Sequence, residues 1–304
     1  EKGKLSYLYR LSKYFIRSSF FLTKRHLKSP YDLIHVHSVP DFEVFATWLA
    51  KLTGSKIILD IHDIVPEFYV SKFNTNKDSI IFKMLTFIEK ASIAFSDHVI
   101  VSNHLWEKTL CSRSVNKWKC SVILNYPDPS IFYHHHRNNN HGKFIILYPG
   151  TLAWHQGLDI AIKAFALIKD QIPESEFHIY GDGSERKALT TLIHDMGLEK
   201  RVSLKGLLSL EEISSVMADA DLGIVPKRGN SFGNEAFSTK ILEFMALGIP
   251  VIIADTKIDK FYFDKSIVRF FKSEDIEDLA KEMVTMIKNR DLRNSYREKA
   301  SIFI

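Results

Sequence analysis

Glu235 and Glu243 stand eight positions apart in the segment GNSFGNEAFSTKILEFMALGIPVII, residues 229–253. Glycines and a Ser238-Thr239 pair precede a helical stretch, Lys240 falls in its first turn, and an apolar strand-like run from Ile249 to Ala254 follows at once. A loop carrying one carboxylate therefore leads into a helix that carries the other about a turn and a half inside. The start of a helix offers unpaired N–H groups and the positive end of its dipole, which suits phosphate. A carboxylate beside it can accept hydrogen bonds from a diol. This combination points to a phosphorylated, hydroxyl-rich ligand such as a nucleotide sugar. A plainer alternative is an exposed loop acid and a solvated helix acid. Against it, Glu243 is flanked by Ile241, Leu242, Phe244, Met245, Ala246 and Leu247, and a carboxylate on so apolar a helix needs a partner.

These residues must be held by a scaffold, and its pattern is an alternation of strands and helices. In the first part, YDLIHVHS (31–38) reads as a strand running into a loop, and KIILD (56–60) as the next strand. Residues 41–52 have helical spacing, IHDIVPEFY forms the following loop, 79–95 is a long helix, HVIVS (98–102) is a strand, Asn103 caps a short helix, and SVILN (121–125) is a strand. In the second part, strands are expected at 144–148, 176–180, 201–205, 221–225, 251–253 and 267–271. Helices are expected at 158–169, after GDGSER to Met196, at 209–218 and at 276–288. Such alternation specifies a parallel α/β sheet in each part.

Between the parts, residues 126–142 break the pattern with Pro127, Pro129 and HHHRNNNHG. The expected division is a domain over 1–128, a linker over 129–143 and a domain over 144–304. The run His134 to His136 has metal-binding composition. A solvated linker explains it as well, since no Cys or acidic co-ligand lies nearby. The length, 304 residues, suits two domains, and 45% hydrophobic with 25% charged residues describes a globular protein with a core. A net charge of +5 suits anionic small molecules or an acidic membrane surface, and no nucleic-acid-binding signature is present. Cys111 and Cys120 lack a partner at metal spacing and read as reduced thiols. No apolar run reaches the length of a spanning helix. Residues 1–30 hold eight Lys or Arg (2, 4, 10, 13, 17, 24, 25 and 28) against Glu1, with apolar residues between them at helical spacing. This is either a basic amphipathic helix on an anionic membrane or a surface helix with a solvated face.

In open α/β sheets ligands sit outside the carboxyl ends of the strands. His37, His62, Asp63, Gly150, Thr151, Gly181, Gly183 and Glu235 all fall at such ends. Gly150-Thr151 and Gly181-Asp182-Gly183 are tight turns by composition, and a turn there also borders a ligand. His62, followed by Asp63, suits a general base or hydrogen-bond donor, or equally a histidine satisfied by local backbone. His37 closes an HVH strand pattern, which simple face alternation also produces. Asp219-Ala220-Asp221 matches a DxD metal pattern, but it joins a helix end to a strand start, the wrong edge of the sheet, and reads as structural.

The second part resembles the donor-binding half of a GT-B fold retaining glycosyltransferase, glycosyltransferase family 4. The residues that carry the resemblance are Glu235-Ala-Phe-Ser-Thr-Lys-Ile-Leu-Glu243, followed by Phe-Met-Ala-Leu-Gly248-Ile-Pro250-Val251. YPGTL, HIYGDGS, VSLKG and DADLGIVP add to it in order and spacing, over about residues 144–271. The first part is similar more loosely, through YDLIHVHS, ILDIHD, SDHVIVSN and VILNYPD.

The resemblance implies two Rossmann-like domains facing across a cleft. It gives Glu243 the ribose hydroxyls of the donor and Glu235 the transferred sugar. Backbone N–H groups of Phe237 and Ser238 go to sugar or phosphate, and Gly150 and Thr151 to the pyrophosphate. His62 matches the histidine that closes on the donor sugar, with His37 and Asp63 on the acceptor side. Gly181, Asp182 and Gly183 fall beside the donor. The family's usual pyrophosphate Arg and Lys fall at about Leu152 and Gln156, so Lys240 is the replacement cation, and the common EGFG becomes EAFS. The family's opening strand with its Gly-rich loop and its closing helix are not evident, so the chain reads as a fragment. The implied activity moves a sugar from a nucleotide diphosphate to a hydroxyl acceptor with retention, in cell-surface polysaccharide or glycolipid synthesis, with no cofactor and no metal. A lipid-linked saccharide acceptor, peripheral contact with an anionic membrane and a cytoplasmic place at its inner face accompany that reading. A nucleotide-sugar epimerase of the same fold and a non-catalytic nucleotide-sugar binding protein are the alternatives.

Overall fold

The computed structural model describes residues 4–73, 75–134, 142–230 and 232–304. The chain divides into two compact units, Glu1–Leu124 and Asn125–Ile304. Of the 134–136 histidine run, His135 and His136 lie outside the described residues.

The first unit opens with α1 (Lys4–Lys28) and continues through β1 (Leu33–His37), α2 (Trp48–Leu52), β2 (Lys56–Ile61), α3 (Val65–Phe73), α4 (Ile80–Phe95), β3 (His98–Val101), α5 (His104–Arg113) and β4 (Cys120–Val122). Its four strands lie parallel in the order β1-β2-β3-β4. Asn103 caps α5 as expected, its Oδ1 accepting from the Trp106 N–H at 2.9 Å. Two segments differ from the sequence reading. Residues 41–52 are not one helix: a 3-10 turn, Asp41–Thr47, precedes the short α2. The segment expected as a loop after β2 turns helical at Val65, with Pro66 in its first turn, where a missing N–H costs nothing. That helix aims Glu67 at Arg113, which also binds Glu89, so these acids serve the fold.

The second unit contains β5 (Phe144–Pro149), α6 (Leu158–Ile168), β6 (Ser175–Tyr180), α7 (Arg186–Asp195), β7 (Val202–Lys205), α8 (Leu210–Ala218), β8 (Leu222–Val225), α9 (Thr239–Ala246), β9 (Val251–Ala254), α10 (Lys257–Tyr262), β10 (Arg269–Phe271), α11 (Ile276–Lys288) and α12 (Arg290–Phe303). The six strands are parallel in the order β10-β9-β8-β5-β6-β7. The chain thus builds outward from β5 to β7, then returns to the other side of β5 with β8. The crevice at that reversal is where an open α/β sheet receives its ligand. β8 and β9 are buried at every position, the mark of strands covered on both faces. Two apolar layers cover them, one built around Phe165 and Phe177, the other around Phe244 and Met245. α9 lies close on β8: a Cβ on Gly223 would come within 2.6 Å of the Phe244 ring. Ile131 and Phe132, placed in a linker by composition, join this unit, Phe132 in its core and the Ile131 carbonyl accepting from Ser214 Oγ. The helix α12 lies beyond the last expected helix, and Arg297 on it donates to the Gly248 carbonyl at 2.9 Å.

Candidate active site

The turn after β5 and the turn after β6 lie back to back. Gly150 has φ 136° and Gly181 φ 142°, both outside the range comfortable for a side chain. A Cβ on Gly181 would lie 1.8 Å from the Gly150 carbonyl oxygen, so Gly181 is required by contact as well. Leu152 N–H donates to the Asp182 carbonyl at 2.9 Å and ties the turns together. The Asp182 side chain is spent locally on the Gly183 N–H. Thr151 is exposed, and its carbonyl accepts from the buried Tyr148 hydroxyl at 3.0 Å.

Helix α9 starts beside these turns. Lys240, its second residue, lays its side chain over Gly150 and sets Nζ 5.6 Å from the centre of the Tyr148 ring. Glu243 follows one turn later on the same helix. Burial pushes the Lys240 ammonium below its ordinary range, and the charge of Glu243 opposes that shift. Burial pushes the Glu243 carboxyl up, opposed by a hydrogen bond to the Thr239 side chain and by Lys240. Each charge is thus held in a site drier than water, where a ligand of opposite charge or a diol gains most. Ser238, at the N-cap of α9, is buried, and its hydroxyl has no hydrogen-bond partner among the described residues.

A cavity of about 240 Å3 joins these groups. Gly150, Gly181, Thr239, Lys240 and Glu243 form its polar side, and Phe132, Tyr180, Leu207, Leu208, Leu210 and Ile213 its apolar wall. The structure therefore brings together Gly150, Gly181, Lys240 and Glu243. The other sequence candidates of this unit, Thr151, Asp182, Gly183, Glu235, Phe237 and Ser238, do not line it. Phe237 turns its ring onto Tyr262 and Phe263. Glu235 pairs with Lys257 at 2.7 Å.

Two lysines that the sequence reading passed over shape the Glu235 loop. Lys257 is one. The other is Lys227, 2% exposed, which donates to the Ala236 carbonyl at 3.0 Å and pairs with Asp259 at 2.9 Å. Arg228, next along, is engaged by Asp159, by Glu274 and by the Trp154 ring. The apolar wall was also missed. Its signal was GLLSL directly after a strand, where large apolar side chains are left exposed (Leu207 74%). Asp221 accepts from the Ile145 N–H at 2.8 Å, in keeping with the structural reading of the DxD pattern.

In the first unit the candidates also share one edge. The His37 and His62 rings are stacked 5.2 Å apart, with Nδ1 of one 2.9 Å from Nε2 of the other. Ser102 Oγ donates to the His62 carbonyl at 3.1 Å. Burial raises the Asp63 carboxyl above its ordinary range, opposed by His62.

Comparison with known proteins fits this geometry. The family model described as "Glycosyl transferases group 1" matches residues 131–302, and that of "Glycosyltransferase Family 4" matches residues 3–130. The chain is 30% identical over 154 residues to the amylovoran biosynthesis glycosyltransferase AmsK of Erwinia amylovora, covering 50% of this chain and 38% of that protein. It is 23% identical over 281 residues to the 2-deoxystreptamine N-acetyl-D-glucosaminyltransferase of Niallia circulans, covering 89% of this chain and 70% of that protein. Among solved structures, the Anabaena protein Alr3699/HepE in complex with UDP and glucose superposes with a TM-score of 0.76 at 19% identity, over 99% of this chain and 78% of that one. The two parallel-sheet α/β units are those of a GT-B fold. With more than half of its length matched by the family model, the chain belongs to the group 1 glycosyl transferases.

Proposed function

We propose that the protein moves a sugar from a nucleotide diphosphate to a hydroxyl acceptor with retention at the reacting carbon. The observation that carries this reading is the cavity where Lys240, Glu243 and the Gly150 turn meet an apolar wall. A nucleoside diphosphate has the matching parts: a flat base, a diol and two phosphates. Glu243 accepts from the ribose hydroxyls. The base lies against Leu207 and Leu208. The phosphates take the start of α9, the Ser238 hydroxyl and the Lys240 ammonium.

Bond cleavage leaves positive charge on the sugar and delivers negative charge to the departing diphosphate. Lys240 and the helix start stabilise that negative charge, and do so more strongly in a site that excludes water. Glu235 and His62 serve the sugar, and His37 and Asp63 the acceptor. Lys257 holds the Glu235 carboxylate until sugar hydroxyls compete for it. The transfer itself requires no metal.

The acceptor is a lipid-linked saccharide, reached at the inner face of a membrane. Supporting this, α1 exposes Tyr14, Phe20, Phe21 and Leu27 beside Arg17, Lys24, Arg25 and Lys28. Among the described residues no helix is long and apolar enough to cross a membrane. A panel of nucleotide sugars offered to the full-length protein tests the activity, with nucleotide release read with and without saccharide acceptors. Acceptor-dependent release, with a product of unchanged anomeric configuration by NMR, is expected. Release that ignores the acceptor, or an inverted product, would overturn the reading.

A further inference from the structure

His35 and His37 lie two residues apart on β1 and therefore on one face of that strand. The parallel register sets Asp60 of β2 opposite His37. The result is a convergence of imidazoles on one carboxylate oxygen. Asp60 Oδ2 lies 3.1 Å from His35 Nε2, 3.2 Å from His37 Nδ1 and 3.6 Å from His62 Nε2. The three rings stack in sequence, His35 on His37 at 4.4 Å and His37 on His62 at 5.2 Å. Asp60 is largely buried, whereas the histidines are open to solvent. The donor atoms of His35, His37 and Asp60 all lie within 4.8 Å of one another.

We infer that this cluster is a binding site for a divalent transition-metal ion, zinc in the first instance. Tetrahedral zinc holds its ligands 2.0–2.1 Å away, which places neighbouring ligand atoms about 3.3 Å apart. Separations of 2.9, 3.1, 3.2 and 3.6 Å bracket that spacing. Hydrogen bonds pair His35 Nε2 with Asp60 Oδ2 and His37 Nδ1 with His62 Nε2, and leave the close approach of His37 and His62 to the same carboxylate oxygen unused. A metal draws on all the lone pairs at once. Three nitrogens and one oxygen select zinc, cobalt or nickel over magnesium and calcium. His35 Nε2, His37 Nδ1 and Asp60 Oδ2 are the primary ligands, and His62 Nε2 is within reach of the fourth position.

Occupancy would engage His37 and His62 and so inhibit the transfer. That consequence rests on the proposed roles of those two residues, but the binding does not. The full-length protein, stripped with chelator, is titrated with Zn2+ by calorimetry and with Co2+ by visible absorption. One equivalent of Co2+ with a tetrahedral spectrum is expected. His35→Ala and Asp60→Asn each weaken binding at least about tenfold with the fold intact by circular dichroism. Replacing His134, His135 and His136 together by Ala leaves binding unchanged. No stoichiometric binding, binding indifferent to His35→Ala, or binding lost with the 134–136 run would each overturn the inference. None of these readouts uses enzyme activity, so failure here is distinct from failure of the glycosyltransferase reading.

Discussion

The Lys240 side chain lies so close across Gly150 that a Cβ on the glycine would meet Lys240 Cε at 2.3 Å. The absent side chain after β5 is therefore what admits the cation of α9 to the position proposed for the diphosphate. Gly150→Ala must both strain a backbone at φ 136° and displace Lys240. Lys240→Ala removes the cation alone and leaves the turn unchanged. Both variants should lose at least about tenfold in nucleoside diphosphate affinity, as a charge-assisted hydrogen bond is worth about 1.5–3 kcal/mol. Only Gly150→Ala should also lower the melting temperature. Calorimetric titration with thermal melts separates the two, and undiminished affinity in Lys240→Ala would remove Lys240 from the site.

Lys227 and Asp259 form a buried pair that also fixes the Ala236 carbonyl. Removing the lysine leaves a fully buried carboxylate that, among the described residues, keeps the hydrogen bond from the Thr256 hydroxyl. Lys227→Ala is expected to cost about 3–5 kcal/mol in urea unfolding. Lys227→Met with Asp259→Leu should recover much of that loss. A single-variant cost under about 1 kcal/mol would contradict the assignment.

The part of the site that was legible is local in sequence. Gly150, Gly181, Lys240 and Glu243 could be placed because a strand end, a turn and a helix start are written in consecutive residues. Strand alternation and the Asn103 cap were legible for the same reason. Partners joined only by tertiary packing were not. Lys257 reaches Glu235 from 22 positions away, and Lys227 reaches Asp259 from 32. The convergence of His35 and His37 on Asp60 depends on the register of β1 against β2, which no single strand encodes. The helix at Val65 was obscured by Pro66, which breaks a helix interior but fits its first turn.

Burial pushes the Asp41 carboxyl up to about 6 from 3.8, against the opposing effect of the Ser38 side chain. In this raised case the folded chain holds its proton longer than the unfolded one. The contribution to stability is therefore complete below pH 3.8 and is lost as pH rises to about 6. Asp41→Asn should be more stable than the parent at pH 7, by up to about 3 kcal/mol. The difference should vanish near pH 4. Melts of both proteins across that range check this, and a gap independent of pH would contradict it.

The apolar and basic residues exposed on α1 predict binding to anionic vesicles that falls as salt rises. Replacing Phe20 and Phe21 with Glu should abolish co-sedimentation with phosphatidylglycerol vesicles and leave the melting temperature unchanged. Equal sedimentation of parent and variant would remove α1 as the contact surface.

Glu243 offers the most direct test of the nucleotide-sugar reading. Calorimetry with uridine and guanosine diphosphates, and with their 2′-deoxy forms, measures whether its carboxylate reads the ribose diol. For the preferred base, Glu243→Ala should weaken the ribonucleotide by about 1.5–3 kcal/mol for each bond lost. The deoxy form should bind parent and variant alike more nearly. Unchanged ribonucleotide affinity in a folded Glu243→Ala protein would contradict the account.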